Sequence, residues 1–298
     1  MNSENIYIVT QSRYKKIILN QLGNKLHEGQ IICEPDRRNT APCILLASLK
    51  IQKRNKEAKI IVSPSDHTIK DEATFKSDME FALSLAGSEN LITFGINPTF
   101  PSTGFGYVKV NSEKNRLKTV LEFTEKPDKI KAKSFIDSGN YYWNSGIFVW
   151  SAKAVLKGFK EYVPRIFDLF YSGINVLNTS DEKKFITDNY PLAENISIDY
   201  ALMEKHKLIH LIPASFDWDD LGSWKSIYDL NPKDVASNVI INSKAYLDQS
   251  TNNLIKANPE KKIVISGLNN FIIVDSEDVL MICPIAVSYT HLTLPTIE

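Results

Sequence analysis

The sequence predicts an α/β fold with a mostly parallel, doubly wound sheet followed by a small β-rich module, and three observations carry that expectation. Strand-like and helix-like segments alternate between residues 5 and 96, the pattern of strands joined by crossover helices. Runs such as Ile60-Ile61-Val62 are β-branched with no polar alternation, as suits strands covered on both faces. After Trp224 the segments shorten into strands and turns. Composition agrees: 43% hydrophobic and 23% charged residues over 298 positions are ordinary for a globular chain. That length holds one large domain and a small appendage.

Each element has a local warrant. NIYIVT at 5–10 reads as a short buried strand, and SRYKKIILNQL at 12–22 as a helix capped by Ser12. QIICEP at 30–35 is a second strand. TAPCILLASLKIQKR, Thr40–Arg54, is a helix with Pro42 in its first turn, where a missing N–H costs nothing. A strand at 60–62, a helix near 75–85 and the strand LITFGI at 91–96 continue the alternation. From Gly104 the strands GYVKV (106–110), LKTVLEFTEKP (117–127) and SGIFVWS (145–151) are separated by longer polar loops, and helices return near 152–159, 166–169 and 198–204. The expected domains are a core at 1–229 and a β-rich module at 230–284. The tail at 285–298, AVSYTHLTLPTIE preceded by Ile285, lacks charge before Glu298 and reads as foreign to the rest.

Charge and cysteine content exclude several functions. Lys+Arg and Asp+Glu balance at 35 each, so no global basic field draws nucleic acid or an anionic membrane. The three cysteines show no zinc spacing and cannot all pair, which fits a reducing, cytoplasmic setting. No apolar run approaches the ~18 residues of a membrane span. A homodimer is compatible with all of this.

Chemistry concentrates in a few loops. Ligands of open parallel sheets lie beyond the C-terminal strand ends, and KIIVSPSDHTIKD at 59–71 places Asp66 there. FDWDDLGSW at 216–224 offers Asp219 and Asp220 between Trp218 and a Leu-Gly-Ser-Trp turn. Two aspartates from distant segments can clamp one Mg²⁺, which prefers oxygen and keeps waters for phosphates; the plainer reading makes them solvated turn residues. EPDRRNTAP at 34–42 opens a helix, so its N-terminus with Arg38, Asn39 and Thr40 can meet an anion. Glu34 can accept from the N1–H and exocyclic amine of a guanine. A loop with a salt bridge and an N-cap explains the same residues. STGFGYV at 102–108 brackets Phe105 with Gly104 and Gly106, as a close backbone approach to a ligand or a plain turn would. In EKP at 125–127, Glu125 can take sugar hydroxyls and Lys126 a phosphate, or the two form an exposed ion pair. YYWNSGIF at 141–148 sets Asn144 among aromatics, as carbohydrate sites and ordinary cores both do. His67 reads as a hydrogen-bonded structural residue rather than a base.

Together EPDRRNTAP, PSDHTI, FGINPTFPSTGFGY, FTEKPD, YYWNSGIFVW, SIDYALMEK and WDDLGSW, in this order, resemble the bacterial mannose-1-phosphate guanylyltransferases, from about residue 5 to residue 283. The resemblance implies a Rossmann-like nucleotidyltransferase core that converts GTP and mannose 1-phosphate into GDP-mannose and pyrophosphate with Mg²⁺. It implies that Asp66 and Asp220 hold the metal, and that Glu34, Arg38, Asn39 and Thr40 face the nucleotide. Gly106, Glu125 and Asn144 would meet the mannose, Asp199 would support that pocket, and Lys126 would bind the phosphate. Asp66, Lys126 and Asp220 are then the catalytic set. Such a reaction brings two anions together, so positioning and charge neutralisation supply the catalysis. Family members begin with a strand and a loop of the form GGxGxRLxPLS, which nothing in residues 1–22 matches. The first strand and the Gly-rich loop are therefore expected to be missing, and the chain as written to be nearly inactive. Two other readings stay open: a non-catalytic sugar-nucleotide-binding subunit, against which the paired aspartates argue, and a pyrophosphorylase for another sugar or base.

Overall fold

The computed structural model describes residues 2–276 and 278–287. The chain divides into two units, the first comprising Met1–Pro64 and Lys70–Asp217, the second Ser65–Ile69 and Trp218–Glu298.

In the first unit, β1 (Ile8–Gln11) and β2 (Ile31–Glu34) pair in parallel as a sheet of their own. A six-stranded sheet holds β3 (Lys59–Val62), β4 (Leu91–Ile96), β5 (Tyr107–Val110), β6 (Lys118–Thr124), β7 (Tyr141–Ser151) and β8 (Ile209–Pro213), in the order β3-β7-β4-β8-β6-β5. The α/β class holds, and β3, β4, β5 and β8 run one way. Their neighbours are often antiparallel, because β7 and β6 run the other way and lie among them. β7 spans 11 residues; its start pairs with β5 and its end with β3. That long strand places β3 at the edge of the six-stranded sheet. The expectation of a strand buried on both faces is thus corrected: Ile60 is buried, while Ile61 and Val62 are half-buried.

The helices are α1 (Lys15–Leu22), α2 (Thr40–Arg54), α3 (Glu72–Leu85), α4 (Lys129–Ser138), α5 (Ala152–Tyr162), α6 (Pro164–Tyr171) and α7 (Glu182–Asn189). Helices α2, α5 and α6 pack together and bury Leu45, Leu46, Leu49, Val155 and Phe159 completely, beside Trp150 of β7. Each such aliphatic side chain contributes about 1.5–3 kcal/mol on leaving water. Ser12 does not cap α1, because Ser12–Tyr14 form a 3₁₀ turn and neither turn nor helix has a side-chain cap bond. Residues 198–204 yield a π turn at Asp199–Met203 instead of an ordinary helix, an irregularity that is frequent at functional sites. The sequence reading passed over α4, α7 and β8.

The second unit contains α8 (Trp224–Leu230), β9 (Val239–Ile241), β10 (Lys244–Asp248), β11 (Leu254–Lys256), β12 (Lys262–Ser266), β13 (Phe271–Asp275) and β14 (Leu280–Pro284). Strands β9, β11 and β13 are parallel neighbours, β14 is antiparallel to β13, and β10 pairs in parallel with β12. The chain therefore winds in coils, with one strand of each coil stacked on the next. Asn238 and Asn253, both buried, join successive coils: Asn253 donates from N and Nδ2 to Asn238 Oδ1 at 3.0 and 3.1 Å. Asn253 Oδ1 then accepts from Phe271 N at 2.9 Å, so the buried amides stay satisfied. Trp224, Ile227 and Tyr228 of α8 pack on Val239, Leu254 and Ile272, which is why the division falls before α8, at Asp217/Trp218, and not at 229/230. Ile285, assigned to the tail by the sequence reading, packs into this same cluster; residues 288–298 of that tail lie outside the described residues. Among the described residues no helix is long and apolar enough to cross a membrane.

Candidate functional site

Gly106, Glu125, Asn144 and Asp199 come together in the first unit. Gly106 precedes β5, and its carbonyl accepts from Asn144 N at 2.8 Å. A Cβ on Gly106 would stand 2.5 Å from Glu125 Oε2 and 3.5 Å from Asn144 Cβ, so the missing side chain lets the strand lie close to that carboxylate in its present position. The Asn144 amide is held at both ends. Its Nδ2 donates to Asp199 Oδ1 at 3.0 Å, and its Oδ1 accepts from Thr93 Oγ1 at 3.2 Å. Burial pushes the Asp199 carboxyl above its ordinary range, and the Asn144 bond opposes that shift. Burial also raises Glu125, and the Asp199 charge adds to it. Two carboxylates under mutual repulsion, with one fixed amide, form an acceptor-rich surface suited to hydroxyl donors. Trp143, next to Asn144 along β7, packs with Tyr107, Ala132 and Tyr141, its ring 4.9 Å from both Phe100 and Phe105.

Lys126 stands beside this pocket, with Nζ 3.8 Å from Glu125 Oε1 and the side chain 64% exposed. Its φ is +45°, a left-handed conformation that costs a non-glycine residue about 1–2 kcal/mol. Strain of this kind clusters at functional sites.

The loop after β2 is arranged differently from the sequence expectation. Thr40 N donates to Asn39 Oδ1 at 2.9 Å, Ala41 N donates to Ile196 O at 3.1 Å, and Pro42 has no N–H. Residues 40–42 thus offer no free amide to an anion, and the helix-terminus reading of residues 34–42 is corrected to that extent. The Thr40 hydroxyl oxygen accepts from Ile198 N at 2.8 Å. Arg38 pairs with Asp36 at 2.8 Å, and its buried Nε has no partner among the described residues. Glu34, at the end of β2, accepts a hydrogen bond from the hydroxyl of Tyr190. Burial raises the Glu34 carboxyl and the tyrosine bond lowers it. Tyr190 lay in no motif, and a lone tyrosine in DNYPLAEN carries no local signal that could have found it.

Asp66 and Asp220 lie on neighbouring segments of the second unit. Thr68 and Asp219 form an isolated antiparallel bridge, with N–H to O distances of 2.8 and 3.1 Å. Asp66 and Asp220 flank that bridge. Asp220 Oδ1 accepts from Gly222 N at 3.0 Å and Asp219 Oδ1 from Leu221 N at 2.7 Å, and Leu221 takes φ +52° to make the turn. Trp218 Nε1 donates to His67 Nδ1 at 3.1 Å, which leaves the imidazole hydrogen on Nε2. Burial lowers the His67 pKa, against the pull of Asp66, Asp220 and Asp219. No group of three or more His, Cys, Asp or Glu that could hold a metal occurs among the described residues. Two carboxylates are nonetheless a fitting donor set for Mg²⁺, which takes one or two from protein and fills its sphere with water and phosphate.

The first unit thus carries an α/β core with a carboxylate-and-amide pocket, and the second unit two aspartates on neighbouring segments. The chain belongs to the nucleotidyl transferase family, whose model matches residues 1–237. It is 34% identical over 282 residues to a mannose-1-phosphate guanylyltransferase of Escherichia coli, covering 92% of this chain and 59% of that protein. It is 31% identical over 280 residues to the alginate biosynthesis protein AlgA of Pseudomonas syringae pv. tomato, covering 92% and 58%. The chain thus spans somewhat over half the length of these curated relatives. A solved structure named as a mannose-1-phosphate geranyltransferase, from Thermus thermophilus, shares the fold with a TM-score of 0.81 at 21% identity, covering 94% of this chain and 80% of that one.

Proposed function

We propose that this chain carries the nucleotidyl-transfer machinery of an enzyme that makes GDP-mannose and pyrophosphate from GTP and mannose 1-phosphate. The observation that carries this reading is the pocket of Glu125, Asn144 and Asp199 under Gly106, an acceptor array for sugar hydroxyls next to an exposed cation. The names of the relatives support mannose as the sugar and guanine as the base. Lys126 is the phosphate partner in this reading. Glu34, with Arg38, Asn39 and Thr40 around it, faces the guanosine, its carboxylate accepting from the base. Asp66 and Asp220 would hold Mg²⁺, which when bound neutralises phosphate charge. The free cysteines Cys33, Cys43 and Cys283 fit a reducing, cytoplasmic setting.

The test is calorimetric titration of the chain with mannose 1-phosphate, glucose 1-phosphate and free mannose. The reading expects mannose 1-phosphate to bind most tightly, and Asp199→Ala to abolish the preference for mannose. Equal affinity for all three, unchanged by the substitution, would sink it.

A further inference from the structure

Tyr190 closes on the loop that ends β2 from 156 positions away in sequence. Its ring is fully buried and stacked on Phe170, with centroids 5.5 Å apart. Its hydroxyl donates to Glu34 Oε1. The remaining oxygen, Oε2, takes no hydrogen bond among the described residues, and Glu34 as a whole is only half-buried. Oε1 keeps a second lone pair and Oε2 keeps both. The carboxylate is therefore an oriented double acceptor: one edge is anchored by a buried phenol and the other is open. The nearby Cys43 thiol, pushed up to about 12 by burial, stays neutral and donates to Thr40 O at 3.1 Å, so it does not compete for the carboxylate.

The stretch that carries Tyr190 is tied to the same loop at two further points, Ala41 N to Ile196 O at 3.1 Å and Ile198 N to Thr40 Oγ1 at 2.8 Å. It then runs directly into Asp199. Without Tyr190 a glutamate at a strand end would sample several rotamers, and an acceptor pair that wanders discriminates poorly between donor patterns.

We propose that Tyr190 is a positioning residue for base selection, holding the Glu34 carboxylate so that it favours a purine with adjacent ring N–H and exocyclic amine donors over one lacking the amine. This rests on the reading that Glu34 faces the guanosine. The hydroxyl, and not the ring, carries the effect, so Tyr190→Phe is the informative change. It keeps the stacking on Phe170 and leaves both backbone ties in place.

The experiment measures binding of GTP, ITP and ATP to the 298-residue chain and to Tyr190→Phe, Glu34→Gln and the double variant. ITP differs from GTP by the missing amine alone. Wild type is expected to prefer GTP, and Tyr190→Phe to cut the GTP-to-ITP ratio about three- to tenfold, the worth of one hydrogen bond. Glu34→Gln should cut it as well, and the double variant no further, because the two residues act as one unit. In parallel, carboxyl NMR should show Glu34 titrating higher in Tyr190→Phe, since the lost bond is the one that lowers it. A ratio left intact, or all three nucleotides weakened alike, would overturn the role of Tyr190 while leaving the guanosine reading standing. A wild type that binds no nucleotide, or binds all three equally, would overturn both.

Discussion

Gly106→Ala separates binding from stability more cleanly than any other single change. The added Cβ would sit 2.5 Å from Glu125 Oε2, about 0.8–1.1 Å inside the ~3.3–3.6 Å at which carbon and oxygen rest. Phe123 and Asn144, at 3.4 and 3.5 Å, need barely move. The carboxylate is the end of a flexible side chain, so it retreats by roughly that gap. A hydrogen bond set at about 2.9 Å is then stretched beyond ~3.5 Å and lost. A bond to a charged acceptor is worth about 1.5–3 kcal/mol, so mannose 1-phosphate should bind roughly 10- to 150-fold more weakly. Stability should move the other way or not at all. Alanine restricts the unfolded chain and contributes about 0.4–1 kcal/mol where the native backbone accepts it, and the φ of Gly106 is not left-handed. Calorimetry for affinity and scanning calorimetry for Tm read the two effects on one sample. Unchanged affinity would show that Glu125 does not touch the sugar. Affinity and Tm falling together would mean that the glycine serves only the packing of β5.

The remaining predictions concern Asp199, Lys126 and the two aspartates of the second unit. Because burial raises the Asp199 carboxyl, the folded state holds that proton more tightly than the unfolded chain does; the associated stability is complete below the ordinary value of 3.8 and lost as pH rises through the raised one. Asp199→Asn should therefore match wild type in Tm at acid pH and exceed it at neutral pH, while binding the sugar phosphate less well; a Tm difference that does not vary with pH would refute the buried charge. Lys126→Gly should raise stability by about 1 kcal/mol by relieving the left-handed backbone, yet lose affinity for mannose 1-phosphate and not for free mannose, and equal effects on both ligands would return Lys126 to a surface ion pair. Asp66→Asn and Asp220→Asn should each weaken Mn²⁺ binding, followed by electron paramagnetic resonance, by about tenfold or more; full affinity in either variant would remove that carboxylate from the metal pair.

Local order was legible in the sequence wherever the signal was local. Helix α2 begins at Thr40 and ends at Arg54 as expected, because the Asn39 cap, Pro42 in the first turn and Lys53-Arg54 in the last all act within a few residues. Strand β4 matches LITFGI, a run with no competing periodicity. Gly106 and Glu125 stand next to the ends of β5 and β6, beside glycine and proline, whereas Asn144 lies among aromatic residues inside β7. Tertiary structure decided the rest. An apolar run such as Ile60-Ile61-Val62 states that a strand exists but not who pairs with it, and β7 made that strand an edge. The Ala41 amide was free by local rules until Ile196 O took it, and the Thr40 hydroxyl found its partner only in Ile198 N. Glu34 found its partner in Tyr190, 156 positions on in the sequence, only when the chain folded back. Propensity and periodicity report backbone preferences within one turn or one strand, whereas the partner of a buried polar group is chosen by packing between segments whose separation in sequence carries no signal.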